Sequence, residues 1–380
     1  MLAAGVGEMT SKPRAHGAPG RRLKLYSDRS WLPPGHENAH VTALCPFWGR
    51  NTNVGAAGWP DYADRLIEVG SGFLELTELS EADVAVFPAR CRPLLREPDG
   101  LERAEAFVEM ARAAGKPSVF FYDHADSGYT RCPIEDAMVM RGSIFRSRRP
   151  ANEFAMPLFH EELLQYTGGQ LPLRRKQGKA VVSFCGAVIR EHPPKNVLWK
   201  MRRIPGGVRR FTWRMQGRHE EDLFIRAKAV DALLEQDDVE ASLIVRESGG
   251  GGEWTEFNAE RWKVVRREFV QNMIDSDYSL YARGDGNWSL RFYESLCLGR
   301  IPVFVDTDCS LPYDFFLPWR DYCVWIERSE VKDIGARVAA FHEGLSDQDF
   351  VDLQREGRRI WEEYVSPEGF FANFHRHFEL

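Results

Sequence analysis

The chain has 380 residues, more than one domain usually holds, and suits two α/β domains of roughly 150 residues each. With 43% hydrophobic and 28% charged residues, its composition is that of a soluble globular protein, and its net charge of −6 argues against a nucleic-acid-binding surface as the main function. The seven cysteines are widely spaced and odd in number, which indicates neither a zinc site nor a disulfide framework.

The first 22 residues mix glycine, alanine, proline and basic residues and contain no apolar run. Such a segment is neither a signal peptide nor a membrane anchor, so we interpret residues 1–22 as a disordered tail. We therefore expect a protein without a membrane span that works in the cytoplasm.

Strands and helices alternate in the first half of the chain, as they do in a domain with a parallel sheet. Residues 22–26 alternate as a short strand, and residues 84–87 and 118–122 are apolar runs typical of buried strands. The spacing of apolar residues predicts a helix over 101–114. The stretch 167–178 is glycine-rich, polar and basic, and we interpret it as a linker to a second domain.

Residues 278–305 predict a strand, a glycine loop, a helix and a second strand, which together form a βαβ crossover. Gly284 and Gly286 break the first strand, Ser289 can cap the following helix, and Gly299 ends it. The helix N-terminus presents unpaired N–H groups and the positive end of its dipole where two glycines let a ligand approach the backbone. The sequence therefore predicts a phosphate site in this loop.

Two arginines flank the loop: Arg283 precedes it, and Arg291 lies in the first helical turn. A cation in the first turn opposes the helix dipole, so a bound anion or a neighbouring carboxylate explains Arg291 better than helix stability does. Glu294 lies one turn further along the helix. The alternative is that Arg291 and Glu294 form an ordinary i,i+3 surface pair.

At residues 283–303 the sequence resembles the exostosin family of glycosyltransferases, whose members carry a run similar to Arg-Gly-Asp-Gly-x-Trp-Ser-x-Arg-x-Tyr-Glu-(Ala/Ser)-Leu followed by Gly-x-Ile-Pro-Val. The resemblance implies an α/β fold of the GT-B type, in which two Rossmann-like domains face each other across a cleft. It places an acceptor domain over 23–170 and a nucleotide-sugar domain over 180–345. It also implies that the helical segment 346–380 packs back on the N-terminal domain.

The resemblance also assigns roles in donor binding, with Glu294 near the ribose of the nucleotide. The residues expected near the diphosphate are Arg283, Gly284, Gly286, Ser289 and Arg291. Gly186, at the end of a predicted strand over 180–186, would let the diphosphate approach the backbone, and Arg190 could neutralise it. The alternative for Arg190 is an exposed loop arginine.

Asp306 and Asp308 form an Asp-x-Asp sequence, which is the metal and nucleotide signature of GT-A glycosyltransferases. Here the sequence follows a strand, at a position where exostosin-like proteins have a polar loop. We therefore expect a loop role, no bound metal, and no cofactor apart from the UDP-sugar co-substrate.

The catalytic base is expected on a loop at the carboxyl end of a strand in the N-terminal domain. Asp123 and His124 directly follow a predicted buried strand, and Asp126 could orient the imidazole. The alternative is that Asp123 caps a turn and His124 binds a backbone carbonyl. Asp28 and Glu37, on the first loop of the domain, are the next candidates.

Residues 47–58 form a second loop of interest, rich in glycine and asparagine and with one aromatic pair. Such a loop could contact a sugar through stacking and amide hydrogen bonds. Equally, it could be a solvent loop whose tryptophan folds onto the domain.

The resemblance implies an inverting transfer of a sugar from a UDP-sugar to a glycan or other hydroxyl acceptor, in polysaccharide biosynthesis. We expect this transfer to need no metal and to involve no nucleic-acid partner. A second hypothesis is a GT-B module that has lost activity and binds a glycan or a partner transferase. A third, a dinucleotide-binding oxidoreductase, is weaker because the first strand of the chain carries no glycine fingerprint.

Overall fold

The computed structural model of the chain describes residues 22–51, 62–122, 131–188, 224–246, 259–284 and 286–378. Apart from Arg22, the predicted N-terminal tail lies outside the described residues. The candidate residues Asp123, His124, Asp126 and Arg190 lie outside them as well.

Six parallel strands form the first sheet, in the order β2-β1-β3-β4-β5-β6. Their bounds are Leu23–Tyr26 (β1), Leu74–Leu76 (β2), Val84–Val86 (β3), Ser118–Tyr122 (β4), Met138–Arg141 (β5) and Glu153–Ala155 (β6). Every residue of the central strands β3 and β4 is buried, because helices and loops cover both faces of the sheet. The strands predicted from the two apolar runs are confirmed.

The helices of this first unit are short except for one. They are Cys45–Trp48 (α1), Tyr62–Val69 (α2), Cys91–Leu94 (α3) and Gly100–Ala113 (α4). The helix predicted over 101–114 is α4, and its apolar face packs on the sheet through Phe107. The ring of Phe107 lies edge-on to Phe87 and Phe120, with centroids 5.1 and 5.9 Å away.

Five parallel strands form the second sheet, in the order β11-β10-β9-β7-β8. Their bounds are Val181–Ala187 (β7), Glu240–Arg246 (β8), Tyr278–Tyr281 (β9), Ile301–Asp306 (β10) and Val324–Glu327 (β11). The α-helices of this part are Ile225–Glu235 (α5), Ala259–Ile274 (α6), Leu290–Cys297 (α7), Ile334–Gly344 (α8), Asp347–Ile360 (α9) and Pro367–Ala372 (α10). With two parallel sheets and helices on each, the chain has the predicted α/β class.

The predicted βαβ crossover is confirmed, because β9 pairs in parallel with β10 and α7 connects them. Ser289 caps α7, and its side chain accepts a hydrogen bond from the Arg291 backbone N–H. Gly299 follows the helix at a φ of +65°, a left-handed conformation that glycine adopts without strain.

The glycine-rich stretch between the two sheets is not a loose linker, in contrast to what its composition suggests. The side-chain amide of Gln354 in α9 accepts from the Arg174 backbone N–H and donates to the Arg174 carbonyl, each at 2.9 Å. The guanidinium of Arg174 also pairs with the buried Asp277 at 2.6 Å, and Lys176 donates to the Leu345 carbonyl at 2.6 Å. Distant side chains hold this segment, which composition cannot reveal.

The end of the chain returns to the first unit. After α9 a π-helical turn, Trp361–Val365, leads into α10. Phe371 stacks on Phe73 at a centroid distance of 6.1 Å, and Trp361 donates to His160 at 3.1 Å. The two units also share one apolar core, to which the first sheet contributes Val86 and the second contributes Phe304.

Two further findings concern the chain as a whole. In the parts of the chain that the structure describes, no helix is long and apolar enough to cross a membrane. All seven cysteines lie in these parts, and each is a buried thiol outside any disulfide.

Candidate functional site

The loop between β9 and α7 lies at the carboxyl end of the second sheet, and its glycines make room for large side chains. A Cβ atom on Gly284 would lie 2.8 Å from a guanidinium nitrogen of Arg226, and one on Gly286 would lie 2.2 Å from the indole nitrogen of Trp288. Both distances are too short for a real contact. In this structure, therefore, the two glycines admit protein side chains to the backbone of the loop.

Arg226 is a residue of this edge that the sequence analysis missed. From the first turn of α5 it donates to the carbonyl of Ala187, the last residue of β7, at 3.1 Å. It also donates 3.3 and 3.0 Å to the Ala282 carbonyl after β9. Because a cation in the first helical turn opposes the dipole, the argument applied to Arg291 would have singled out Arg226 too.

Arg291 is buried between the end of β7 and helix α6. Its guanidinium donates to the Cys185 carbonyl and lies over the rings of Phe184 and Phe269, 4.5 and 5.2 Å from their centroids. Burial lowers the pKa of Arg291, and the negative charge of Glu294 opposes that shift. A Cβ atom on Gly186 would lie 2.9 Å from this guanidinium, so the missing side chain at Gly186 makes room for Arg291.

The alternative for Glu294, an i,i+3 surface pair with Arg291, is wrong. It is 2% exposed, and its partner is Arg266 of α6, whose Nη1 lies 2.5 Å from its Oε1. The same guanidinium reaches Glu161 through Nε at 2.7 Å. Arg266 therefore links the helix of the loop to the segment that follows the first sheet.

The charges around Arg266 show their effect in two pKa shifts. Burial alone would raise the pKa of Glu161, but the charge and hydrogen bond of Arg266 outweigh it and hold the pKa below its usual value. Burial lowers the pKa of His160, which donates from Nδ1 to the Glu161 carbonyl at 2.7 Å and accepts at Nε2 from Trp361. The imidazole is thus neutral, and both of its nitrogens are engaged in hydrogen bonds.

Asp306 and Asp308 bind the loop that follows β5 in the first sheet. Asp306 pairs with Arg146 at 2.8 Å and accepts the Asp308 backbone N–H at 2.8 Å. Asp308 accepts from the backbone and hydroxyl of Ser147 at 3.0 and 2.5 Å. These carboxylates therefore hold two loops together. Among the described residues, no group of three His, Cys, Asp or Glu side chains is placed to hold a metal ion.

The same two loops meet again at Asn287, which is completely buried and was given no role from sequence. Its backbone N–H donates to the Ser143 hydroxyl at 3.1 Å, and its side chain donates to the carbonyls of Ile144 and Thr307 at 3.2 and 3.1 Å. Arg283 lies over the ring of Phe145 at 5.2 Å. Loops at the carboxyl ends of both sheets are therefore in contact.

The structure brings most of the predicted site residues to one edge of the second sheet. Those at this edge are Gly186, Arg283, Gly284, Gly286, Ser289, Arg291 and Glu294. Arg190, Asp123 and His124 lie outside the described residues. The next candidates for the base, Asp28 and Glu37, accept backbone N–H groups of their own turns at 2.7 and 3.0 Å.

These turn contacts make Asp28 a weak base, because the hydrogen bonds from Ser30 lower its pKa. Backbone hydrogen bonds likewise lower the pKa of Glu37. Neither carboxylate therefore has the raised pKa that a base working near neutrality needs.

Comparison with known protein families agrees with the geometry. Residues 118–341, well over half of the chain, match the family described as the Exostosin GT47 domain. The match begins at β4 and includes the whole second sheet, so it covers the edge at which the arginines converge. The domain of this family is GT-B-like, which fits the two parallel sheets found here. The chain is a member of the exostosin GT47 family of glycosyltransferases.

Proposed function

We propose that this chain is an active enzyme that moves a sugar from a UDP-sugar to a hydroxyl group of a glycan or similar acceptor, with inversion and without a metal ion. The observation that carries the proposal is the convergence of arginines on the capped N-terminus of α7. Arg226 and Arg291 bind carbonyls at the carboxyl ends of neighbouring strands, and Arg283 lies in the loop between β9 and α7.

Transfer of the sugar leaves a nucleoside diphosphate, whose developing negative charge must be stabilised. The positive dipole end of α7 and the three guanidinium groups supply fixed positive charge there. Such preorganised charge replaces the divalent ion that other transferases use. The carboxylates of Asp306 and Asp308 are meanwhile engaged with Arg146 and Ser147.

We assign the ribose of the nucleotide to Glu294, one helical turn inside the phosphate-binding end of α7. A carboxylate accepts hydrogen bonds from the two ribose hydroxyls, and the ion pair with Arg266 holds this one in place. The base that takes the acceptor proton is assigned to Asp123 or His124, which follow the carboxyl end of β4 directly. Separate Asp123→Asn and His124→Ala substitutions should lower kcat and leave UDP binding unchanged.

The proposal is tested by saturation-transfer NMR with UDP-, GDP- and CMP-sugars, followed by calorimetry with UDP in EDTA. UDP should bind without metal, and Arg291→Ala should weaken it by about 1.5–3 kcal/mol, the value of a charge-assisted hydrogen bond. The matched control is Arg355→Ala, since Arg355 is 54% exposed and pairs with Asp352 one turn away on its own helix. A strict Mn²⁺ requirement would instead assign the Asp306 and Asp308 carboxylates to a metal.

One observation favours the second candidate, an inactive binding module. Arg291 and Glu294 are both buried and already engaged by protein partners. A turnover assay separates the two functions, because a module that has lost activity would bind a nucleotide or glycan and release no UDP.

A further inference from the structure

A short antiparallel ladder joins the two units, between the loop after β5 and the loop after β10. Phe145 and Cys309 form a backbone bridge across this ladder. Beside the bridge, the Arg146 backbone N–H donates to the Asp308 carbonyl at 2.8 Å. Both loops leave the carboxyl ends of their strands, the edge at which the donor-binding loop lies. We call this ladder the inter-unit seam, and it consists of residues 143–147 and 306–310.

Asn287 attaches the loop between β9 and α7 to this seam. It lies just before the Ser289 cap of α7 and is completely buried. Its Nδ2 donates to the Ile144 carbonyl at 3.2 Å on one side of the seam and to the Thr307 carbonyl at 3.1 Å on the other. Its Oδ1 accepts from the Thr307 hydroxyl at 2.7 Å, and its backbone N–H donates to the Ser143 hydroxyl at 3.1 Å. One residue therefore fixes the donor-binding loop against both units.

These contacts require an asparagine at position 287. Two backbone carbonyl oxygens, which can only accept, face the amide nitrogen, and a hydroxyl group faces the amide oxygen. The partners thereby set the orientation of the amide. Aspartate has nearly the same shape but no N–H group, so it would bring a negative charge against two buried carbonyl oxygens. An exchange of Asn287 for aspartate therefore removes the attachment and keeps the volume of the side chain.

The seam connects the two places at which the proposed reaction needs precise geometry. On the side of the second unit, Asn287 precedes the capped N-terminus of α7, where the diphosphate is proposed to leave. On the side of the first unit, β5 pairs with β4, and Tyr122 at the end of β4 lies opposite Arg141 at the end of β5. The proposed base follows Tyr122 directly in the chain. The attachment of Asn287 therefore sets how far the donor-binding loop lies from that strand end.

We infer that Asn287 is a positioning residue for sugar transfer, which holds the donor-binding loop in register with the carboxyl end of β4. The inference rests on the proposed transferase function. Asn287 acts through the loop and the seam and touches no reacting atom. A misplacement of the reacting groups by about 1 Å costs roughly 100-fold in rate, whereas the nucleotide needs only the second unit for binding. Loss of the attachment should therefore slow transfer and leave UDP affinity nearly unchanged.

The test combines steady-state kinetics with UDP calorimetry on Asn287→Asp, Ser143→Ala and the double variant. Asn287→Asp should lower kcat about tenfold or more and change the UDP Kd by less than about twofold. Ser143→Ala, a milder change that keeps the test valid if Asn287→Asp does not fold, should lower kcat less. The double variant should be no slower than Asn287→Asp alone, because both substitutions remove the same attachment.

Asn272→Asp is the matched control. Asn272 is 7% exposed, and its Nδ2 donates to the carbonyl and hydroxyl of Ser242 at 3.0 and 2.9 Å. The same chemical change is thus made at a buried asparagine outside the seam. This variant should lower the melting temperature and keep kcat within about twofold of the wild type.

Hydrogen–deuterium exchange of the full chain without ligand gives a readout that needs no activity. Peptides covering residues 143–147 and 306–310 should both exchange faster in Asn287→Asp than in the wild type, and neither should do so in Asn272→Asp. The inference is overturned if this exchange is unchanged, if kcat falls equally in both variants, or if UDP affinity falls as much as kcat. If the wild type releases no UDP from any donor, the transferase proposal fails, while the exchange data still decide whether Asn287 holds the seam together.

Discussion

Replacing Arg266 by methionine should destabilise the fold, because the change leaves two carboxylates without their shared cation. The guanidinium lies 2.7 Å from Glu161 and 2.5 Å from Glu294, and no water can replace it next to Glu294, which is 2% exposed. Methionine keeps most of the apolar stem, so the variant isolates the loss of the cation.

The expected loss in the free energy of unfolding is about 3 kcal/mol at pH 7. Breaking a buried ion pair by removing one partner costs about 3–5 kcal/mol, because the other charge stays buried. The lower end applies, since the Glu161 side chain keeps 19% exposure and the charge of Arg291 still acts on Glu294.

The loss should depend on pH, with a sign that follows from Glu161. In the wild type Arg266 holds the Glu161 pKa below its usual value against burial, so the stability it contributes is present at neutral pH and falls away in acid. In the variant the two contributions of Arg266 are gone, so burial, opposed only by smaller effects such as the backbone hydrogen bond at Glu161, shifts the Glu161 pKa upward relative to the wild type. The carboxyl group then takes up a proton more readily as the pH falls, which relieves part of the cost.

Urea unfolding at pH 7 and pH 5, followed by circular dichroism, measures both effects. The matched control is Arg267→Met, because Arg267 is the next residue of the same helix and is exposed. The gap between variant and wild type should be smaller at pH 5 than at pH 7. Equal losses in the two variants, or a gap that does not change with pH, would refute the reasoning.

Three other substitutions test separate parts of the site. Gly186→Ala places a Cβ atom 2.9 Å from the buried guanidinium of Arg291, and UDP binding measured by calorimetry should weaken by about 1 kcal/mol, or fivefold. The control Gly178→Ala, whose Cβ atom meets nothing within 4 Å, should leave UDP binding unchanged. A double-mutant cycle of Arg146→Ala and Asp306→Asn in urea unfolding should give a coupling energy of about 0.5–1 kcal/mol, since Arg146 is 47% exposed. Zero coupling, or stabilisation of the wild type by Mn²⁺, would contradict the role of Asp306 in holding the loops together. Glu294→Gln should raise the donor KM more than it lowers kcat in steady-state kinetics, and the reverse pattern would assign the carboxylate to chemistry instead.

Much of the local structure of the second sheet could be predicted from sequence. The cap at Ser289, the stop at Gly299 and the two strands around α7 each depend on a few neighbouring residues and their backbone preferences. The apolar runs of β3 and β4 predicted burial on both faces for the same reason. Such patterns involve residues close together in the chain, so a single amino-acid sequence suffices to recognise them.

What only the tertiary structure decided is which groups share an environment. Glu294 has its partner on another helix, in Arg266, and Asp306 has its partner in a loop of the other sheet. The glycines that suggested room for a ligand instead admit Arg226 and Arg291 to the backbone. Residue type and spacing determine the elements of this protein, but charges and acceptors gain their roles from burial and from partners distant in the chain.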